Sequence, residues 1–234
     1  MQIPLLQHRH FNRLVLGVLI TGLWCVFGAL MASANANLPS VGQGAQSAPT
    51  VLIVGDSLSA EYGLARGTGW VQRMSQQAIQ EKISINLVNA SISGDTTSGG
   101  VSRLAALLQQ HRPQVLLIEL GGNDALRGLS LTMTENNLRR MALAGKNAGS
   151  KVMLVAIQVP PNYGEKYRQQ MDAIYLKVAK ETGSQLNQQF LKGVADDADP
   201  LKFFQADKIH PNEAAQMLIM KNVWPQLKKM LRPS

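Results

Sequence analysis

The chain has 234 residues, of which 45% are hydrophobic and 16% charged, so it is long enough for one domain with a substantial core and too apolar to be disordered. Its net charge of +8 raises the question of nucleic-acid binding, but the basic residues are scattered, with adjacent pairs only at Arg139-Arg140 and Lys228-Lys229. Without a basic stripe that carries interleaved aromatic side chains, the charge does not indicate a nucleic-acid partner.

The first 36 residues have the pattern of a secretory signal peptide. Arg9 and Arg13 precede an uncharged apolar run over 14–31, and the small residues of S-A-N-A offer a cleavage site after Ala36. An uncleaved membrane anchor is the alternative, because the run approaches the ~18 residues that can span a bilayer. A cleaved chain would be periplasmic or secreted, and it would contain no cysteine, since Cys25 lies within the run.

Residues 37–49 are rich in glycine, serine, proline and glutamine and are predicted to be a flexible lead-in to a single domain over 50–234. In that domain, apolar runs of strand length alternate with amphipathic segments. Strands are predicted over 50–54, 83–90, 114–120, 151–157 and 184–188. Helices are predicted over 69–80, 98–111, 134–148, 165–182 and 212–231, the last with a kink at Pro225.

Most of the predicted strands are continuous apolar runs, which is typical of strands that are buried on both faces. Their alternation with helices predicts an α/β fold with a mainly parallel five-stranded sheet, helices on both faces and right-handed crossovers. In such a sheet, functional loops gather at the carboxyl ends of the strands. Each motif considered below, up to the last helix, follows one of these strands.

The first apolar run, V-L-I-V, stops at the turn Gly55-Asp56-Ser57. A serine at a strand-to-helix turn can be exposed, and the N–H groups and dipole of the following turn would stabilise negative charge beside it. The same composition is ordinary for a turn, and a serine-rich loop after a first strand can also hold a phosphate. On its own, the motif leaves a nucleophile, a plain turn and a phosphate site open.

The positions of the four histidines in the sequence leave His210 as the candidate general base. His8 and His10 lie in the predicted signal peptide, and His111 ends a predicted helix, where a histidine commonly caps carbonyl groups. Asp207 lies three residues before His210, so a tight loop could bring its carboxylate to Nδ1 and fix the tautomer. The alternative is that Asp207 and His210 cap the last helix, with a proline at its start.

Two glycine-containing loops after later strands offer hydrogen-bond donors. Asn123, in G-G-N-D, is a neutral amide donor suited to an oxyanion, and Gly94 could supply a second donor from its backbone. The alternatives are plain turns, with Asp95 or Thr96 capping the next helix. No metal or other cofactor is expected, because the sequence has no His-x-x-x-His pair and no His/Cys cluster, and the acidic stretch over 196–199 is typical of a solvated loop.

Together these blocks resemble the SGNH, or G-D-S-L, hydrolase family, and they are similar to its bacterial periplasmic thioesterase I/protease I/lysophospholipase branch, often called arylesterase. The resemblance covers nearly all of residues 51–231. The matching blocks are G-D-S-L-S with Ser57, N-A-S-I-S-G-D-T-T with Gly94, E-L-G-G-N-D-A-L-R-G with Asn123, and D-K-I-H-P-N with Asp207 and His210.

The resemblance implies a three-layer α/β/α sandwich of the flavodoxin-like kind, with Ser57 as nucleophile, His210 as base and Asp207 as the residue that orients the base. It also implies an oxyanion hole formed by the backbone N–H groups of Ser57 and Gly94 with the Asn123 side chain. The implied substrates are acyl esters and thioesters, including aryl esters, lysophospholipids and acyl-CoA-like molecules, hydrolysed through an acyl-enzyme. Separately, the protein is expected to be a monomer.

Another stretch, Q-V-P-P-N-Y-G with Val159 and Pro160, looks like the substrate-side loop of that branch. Glu61 and Lys208 depart from the family pattern, since glycine is usual at both positions. A carboxylate at position 61, near the mouth of the site, is expected to disfavour anionic acyl groups, and a non-glycine there to alter the turn.

Two alternative functions follow from the same fold. One is a carbohydrate O-deacetylase, against which the Q-V-P-P-N-Y-G loop favours lipid-like acyl groups. The other is a non-catalytic phosphate- or nucleotide-binding module of the flavodoxin type, which would leave Asn123, Asp207 and His210 unexplained together. A membrane is expected to be a partner only through lipid substrates or an uncleaved signal.

Overall fold

A computed structural model describes residues 48–232, so the predicted signal peptide and most of the predicted lead-in lie outside the described residues. The strands are β1 (Thr50–Gly55), β2 (Asn86–Asn89), β3 (Val115–Glu119), β4 (Lys151–Val155) and β5 (Gln185–Asn187). The α-helices are α1 (Trp70–Gln80), α2 (Thr97–His111), α3 (Gly122–Leu126), α4 (Leu131–Asn147), α5 (Glu165–Thr182) and α6 (Glu213–Met230). Short 3₁₀ turns span Pro161–Tyr163 and Pro200–Phe203.

The five strands form one sheet in the order β2-β1-β3-β4-β5, and every neighbouring pair is parallel. The predicted α/β class and parallel five-stranded sheet are therefore confirmed. This is the flavodoxin-like order, in which the chain reverses its direction of winding between β1 and β3. A crevice opens at that switch point, outside the carboxyl ends of the two strands.

The centre of the sheet is buried on both sides, and its strands are apolar on both faces. The segments 51–54 of β1 and 115–118 of β3 are fully buried, which explains why their sequences show no polar alternation. Helices α2, α4 and α5 pack side by side, as do α1 and α6, so two helical layers enclose the sheet. Burial on both faces fixes the pairing register of the strands and therefore the position at which the loop after each strand begins.

The edge strand β2 is shorter than predicted. Residues 83–85 were predicted to belong to it but precede it, and Ile83 closes the C-terminal turn of α1, with Lys82 at φ 55° and the Ile83 N–H donating to Ala78 O over 2.8 Å. An apolar residue that closes a helix has the same local signature as one that opens a strand, so the periodicity did not separate the two.

Helix α4 begins earlier than predicted. Ser130 caps it, since its Oγ accepts from Met133 N, whereas Thr134 and Asn137 lie inside the helix and face the core. Thr134 Oγ1 donates to Asp124 Oδ1 (3.1 Å), and Asn137 Nδ2 donates to Thr97 Oγ1 (3.1 Å). The polar residues that looked like a helix start are members of a buried network.

The final helix α6 contains Pro225, the residue at which a kink was predicted. It is held against the end of α1, where the Glu81 carboxylate accepts from Trp224 Nε1 (2.9 Å) and from Lys228 Nζ (2.8 Å). None of the helices within residues 48–232 is long and apolar enough to cross a membrane.

Candidate active site

Three separate parts of the chain meet at the switch point of the sheet. Ser57 follows β1, and Asn123 lies in the first turn of α3, directly after β3. Because β1 and β3 are adjacent and parallel, their carboxyl ends bring these two residues to the same crevice. His210 arrives from the loop that precedes α6, and all three residues line one cleft.

Ser57, His210 and Asp207 form a continuous hydrogen-bonded series. The distance from Ser57 Oγ to His210 Nε2 is 2.9 Å, and that from His210 Nδ1 to Asp207 Oδ2 is 2.6 Å. Asp207 Oδ1 in turn accepts the backbone N–H groups of Ile209 (2.9 Å) and His210 (3.0 Å). The aspartate is thus held by its own loop while it holds the imidazole.

The charge of Asp207 decides the tautomer of His210. Burial alone would raise the pKa of Asp207, but the hydrogen bonds from His210 and Ile209 outweigh burial and lower the pKa to about 2. An ionised carboxylate only accepts, so the Nδ1 that faces it must carry hydrogen. In the neutral imidazole Nε2 is then the acceptor, and it points at the Ser57 hydroxyl.

The alternative in which Asp207 and His210 cap the last helix is wrong. Asn212 is the N-cap of α6, and its Oδ1 accepts from Ala214 N over 3.0 Å. The same side chain donates through Nδ2 to Lys202 O (2.8 Å) and Phe204 O (3.2 Å), which fixes the loop before the helix. Asp207 makes its backbone hydrogen bonds within 207–210 instead.

The Asn123 amide is oriented by Asp56. Its Nδ2 donates to Asp56 Oδ2 over 3.0 Å, and Asp56 Oδ1 accepts the Leu58 N–H at the same distance. Because Nδ2 carries two hydrogens and the aspartate takes one, the second is available to a group bound in the cleft. Burial raises the pKa of Asp56 to about 6, against the lowering effects of the Leu58 N–H and of the nearby His210 and Asn123.

A second carboxyl group, Glu119, lies beneath the Ser57 turn at the end of β3. It is completely buried, and its Oε2 accepts from Ser59 Oγ (2.6 Å) and from the Asp56 backbone (3.3 Å). Burial, with the added effect of nearby Asp56, holds the pKa of Glu119 well above its usual range. Burial therefore favours the protonated form of Glu119.

Gly94, the other predicted oxyanion donor, lies in the loop between β2 and α2 and is not among the residues that line the cleft. Its φ of 78° is the left-handed conformation that favours glycine. The Gly94 carbonyl accepts from Arg127 over 2.7 Å. Arg103 braces the same loop, since it pairs with Asp95 (2.8 Å) and donates to the Ala90 carbonyl. Of the two residues predicted as possible caps of α2, Asp95 and Thr96, it is Thr96 that caps the helix.

The cleft beside Ser57 has a volume of about 380 Å³ and a largely apolar lining. Val159 and Pro160, predicted from the substrate-side loop, are part of this lining. Arg168 and Asp196 are charged residues along it. Within residues 48–232, no three histidine, cysteine or acidic side chains are grouped so that they could hold a metal ion. The remaining apolar wall consists of Leu58, Ala125, Leu126, Ile157, Leu191, Ala195, Leu201, Phe204 and Ile209.

Glu61 and Lys208, the two departures from the family pattern, differ in their position relative to the cleft. Glu61 adopts a left-handed φ of 60°, but its carboxylate binds the N–H groups of Gly67 and Gly69, so it turns into its own loop and not toward the cleft. This contact removes the expected reason for discrimination against anionic acyl groups. Lys208, at φ 59°, does line the cleft and brings a positive charge to it.

Several residues that build the site were not identified from the sequence. Asp56 was treated as part of a turn, and Arg103, Glu119 and Gln205 were not considered. One signal was present for Glu119, because a single acid inside the otherwise apolar run V-L-L-I-E-L must be buried if the strand is central. Arg103 and Gln205 occupy positions that are ordinary for surface residues, so only the tertiary contacts reveal them.

Comparison with known proteins agrees with this geometry. The GDSL-like Lipase/Acylhydrolase family matches residues 53–218. Esterase TesA of Pseudomonas aeruginosa is 44% identical over 185 residues, which cover 79% of this chain and 90% of that protein. Thioesterase 1/protease 1/lysophospholipase L1 of Escherichia coli K12 is 42% identical over 187 residues, which cover 80% of this chain and 87% of that protein.

A solved structure adds the three-dimensional match. The psychrotrophic esterase EstA from Pseudoalteromonas sp., in a crystal structure inhibited by monoethylphosphonate, superimposes with a TM-score of 0.73 at 38% identity, covering 78% of this chain and 98% of that chain. The chain belongs to the GDSL-like lipase/acylhydrolase family. It is an ester hydrolase with the three-layer α/β/α fold that the resemblance implied.

Proposed function

We propose that this hydrolase works through an acyl-enzyme on Ser57, with His210 as general base and acid and Asp207 as the residue that orients His210. The observation that carries the proposal is the hydrogen-bonded series from Ser57 Oγ through His210 to Asp207 at the wall of an apolar cleft. Nucleophile, base and orienting carboxylate in this sequence are the requirements for acyl transfer.

In the first half of the reaction, Ser57 Oγ attacks the carbonyl carbon of the ester while Nε2 of His210 takes the hydroxyl proton. The carbonyl oxygen becomes an oxyanion, and the proposed donors to it are the Ser57 and Gly94 backbone N–H groups and Asn123 Nδ2. When the tetrahedral intermediate collapses, the bond to the leaving alcohol or thiol breaks, and His210 returns the proton to that group.

In the second half, a water molecule takes the place of the leaving group. His210 accepts a proton from it, the hydroxide attacks the acyl carbon, and the bond to Ser57 Oγ breaks as His210 gives the proton back to the serine. The negative Asp207 stabilises the imidazolium in both halves, which its low pKa permits over the physiological range.

The proposed substrates are acyl esters and thioesters, including aryl esters, lysophospholipids and acyl-CoA-like molecules. The apolar lining of the cleft supports an acyl chain as the group that binds there, with Val159 and Pro160 in contact with it. Two relatives carry the names esterase and thioesterase 1/protease 1/lysophospholipase L1. We expect the enzyme to act as a monomer on such small substrates.

The alternative functions are not favoured. A carbohydrate O-deacetylase would need polar groups to bind sugar hydroxyls, whereas most of the residues that line this cleft are apolar. A phosphate- or nucleotide-binding module gives no reason for a serine, a histidine and an aspartate to be joined by hydrogen bonds.

We also propose that the enzyme is periplasmic or secreted after cleavage behind Ala36. The support is the sequence pattern of residues 1–36. N-terminal sequencing of protein exported by a Gram-negative host should give a chain that begins near Asn37. An intact chain recovered from the membrane fraction would favour the anchor instead.

Fluorophosphonate labelling tests the nucleophile directly. The wild-type protein should form a covalent adduct on the peptide that contains Ser57, and Ser57→Ala protein should form none. Ser59→Ala is the matched control, because it removes a hydroxyl two residues away that donates to Glu119 and does not contact His210. A chain-length series of p-nitrophenyl esters beside acyl-CoA thioesters then defines the acyl group. Labelling of another residue would refute the acyl-enzyme on Ser57.

A further inference from the structure

Residues 61–69, here termed the Tyr62 loop, connect the nucleophile turn to the start of α1. The Glu61 carboxylate closes this loop, since Oε2 accepts from Gly67 N (2.9 Å) and Oε1 accepts from Gly69 N (2.8 Å). A Cβ atom at position 69 would lie 2.7 Å from Glu61 Cγ, so glycine is needed there for the carboxylate to reach its donors. One side chain therefore ties the two ends of the loop together.

The closed loop places the Tyr62 ring on the imidazole of His210. The ring centroids are 4.3 Å apart, and the ring planes are inclined by 39°. Tyr62 is 49% exposed, while the His210 side chain is only 18% exposed. The tyrosine thus covers the histidine and contributes little to the core.

Gln205 joins the Tyr62 loop to the loop that carries His210. Its Nε2 donates to Tyr62 O (2.8 Å) and to Pro211 O (3.2 Å), and its backbone N–H donates to His210 O (2.8 Å). The backbone that carries Tyr62 is therefore held by Glu61, which closes the loop, and by Gln205, which binds the Tyr62 carbonyl.

We propose that Tyr62 is a positioning residue for His210, and that Glu61 and Gln205 act by holding Tyr62 in place. The proposal rests on the proposed function, because it matters only if His210 moves protons. His210 bonds to Ser57 and Asp207 through its two ring nitrogens, whose hydrogen-bonding directions lie in the plane of the ring, so these bonds restrain displacement out of that plane only weakly. A ring packed on one face blocks this displacement.

The same contact also favours the charged state of His210. When His210 has taken the Ser57 proton, the imidazolium lies next to an aromatic ring whose π electrons attract a cation. The attraction is absent while the imidazole is neutral, so it lowers the energy of the charged intermediate relative to the free enzyme. Tyr62 is not among the residues that line the cleft, so it should affect kcat more than KM.

Tyr62→Phe and Tyr62→Ala form the critical pair of variants. Within the described residues the Tyr62 hydroxyl makes no hydrogen bond, so phenylalanine keeps every contact that the proposal uses. Tyr62→Phe should keep kcat for a p-nitrophenyl ester within about twofold, while Tyr62→Ala should lose about 3- to 30-fold in kcat with little change in KM. Tyr62→Leu, which keeps apolar bulk without the aromatic face, replaces Tyr62→Ala if that variant unfolds.

A double-mutant cycle tests the role of Glu61. Glu61→Ala should lower kcat, and adding Tyr62→Ala should lower it little further, because both changes release the same contact. The proposal is overturned if Tyr62→Ala keeps wild-type kcat, if Tyr62→Phe loses as much as Tyr62→Ala, or if the Glu61 and Tyr62 losses add. Failure of the proposed function is a different result, namely turnover by Ser57→Ala protein measured in the same series.

Discussion

Replacing Asp207 with asparagine changes the charge of one side chain and almost nothing of its size. The Oδ1 atom of the new amide can still accept the N–H groups of Ile209 and His210, so the loop keeps its shape. The group that faces His210 Nδ1 becomes an NH₂ donor, and the imidazole must then present an acceptor at Nδ1 and a hydrogen at Nε2. In that tautomer His210 cannot take the Ser57 proton.

The substitution is expected to have a large effect on kcat and a small effect on stability. The wrong tautomer should lower kcat by about 10⁴, as the same substitution does in a serine-protease triad. A pKa lowered from 3.8 to about 2 corresponds to at most about 2.4 kcal/mol of stability. Because the Asp207 side chain is 36% exposed, screening by solvent reduces this contribution to about 1 kcal/mol or less. A loss of that size should lower the melting temperature by only about 2–4 °C.

The assay pairs kcat for a p-nitrophenyl ester with thermal melting of Asp207→Asn protein. Glu213→Gln is the control, since it removes a carboxylate three residues beyond His210 that contacts Arg73 and not the imidazole. The lowered pKa of Asp207 also gives a sign: its stabilisation is complete above pH ~4 and is lost as the pH falls toward 2, so the asparagine variant should lack that part of the acid transition. Wild-type kcat in the variant would remove Asp207 from the triad and leave at most a Ser57–His210 dyad.

Other substitutions test the remaining residues of the site and the buried hydrogen-bond network around Asp124. Ser57→Ala should lower the rate of ester hydrolysis by about 10⁴ or more without loss of the melting transition, and wild-type turnover would refute Ser57 as the nucleophile. Asn123→Ala should lower kcat by about 10²–10³ with a smaller change in KM, whereas a rise in KM alone would make Asn123 a substrate-binding residue. Asp124→Ala should cost about 3 kcal/mol in urea unfolding, because it removes the acceptor of the buried Thr97 N–H and of the Thr97 hydroxyl, while exposed Asp172→Ala should change stability by about 0.5 kcal/mol or less.

The regular part of the fold could be predicted because the local signals agree with the tertiary structure. β1, β3 and β4 are continuous apolar runs that are buried on both faces, and α5 has the bounds that its amphipathic pattern predicts. α3 was missed because it starts at a pair of glycines, which have poor helix propensity. It is held in place by hydrogen bonds from Thr97 to Asp124, a contact across 27 residues that no local window contains.

In the candidate site, too, some features could be predicted from the sequence and others depend on tertiary contacts. Ser57 and His210 were singled out by turn position and by elimination, but their contact spans 153 residues, so the sequence could not measure it. The role of Glu119 depends on burial, which is a property of the assembled sheet. For Glu61 the sequence showed an unusual residue but not its direction, because the donors that turn it away from the cleft lie six and eight residues further along the chain.

The placement of Ser57 after the first strand and His210 before the last helix has a consequence for biosynthesis. At about 5–20 residues per second, a ribosome needs roughly 8–30 s to add the 153 residues that separate them. On the proposed mechanism, the nascent chain carries the nucleophile without its base during that interval, so it should not hydrolyse esters in the compartment where it is made. On the proposed mechanism, hydrolysis requires that α6 dock against α1 and bring the preceding loop to Ser57, so esterase activity would report that this last helix has folded into place.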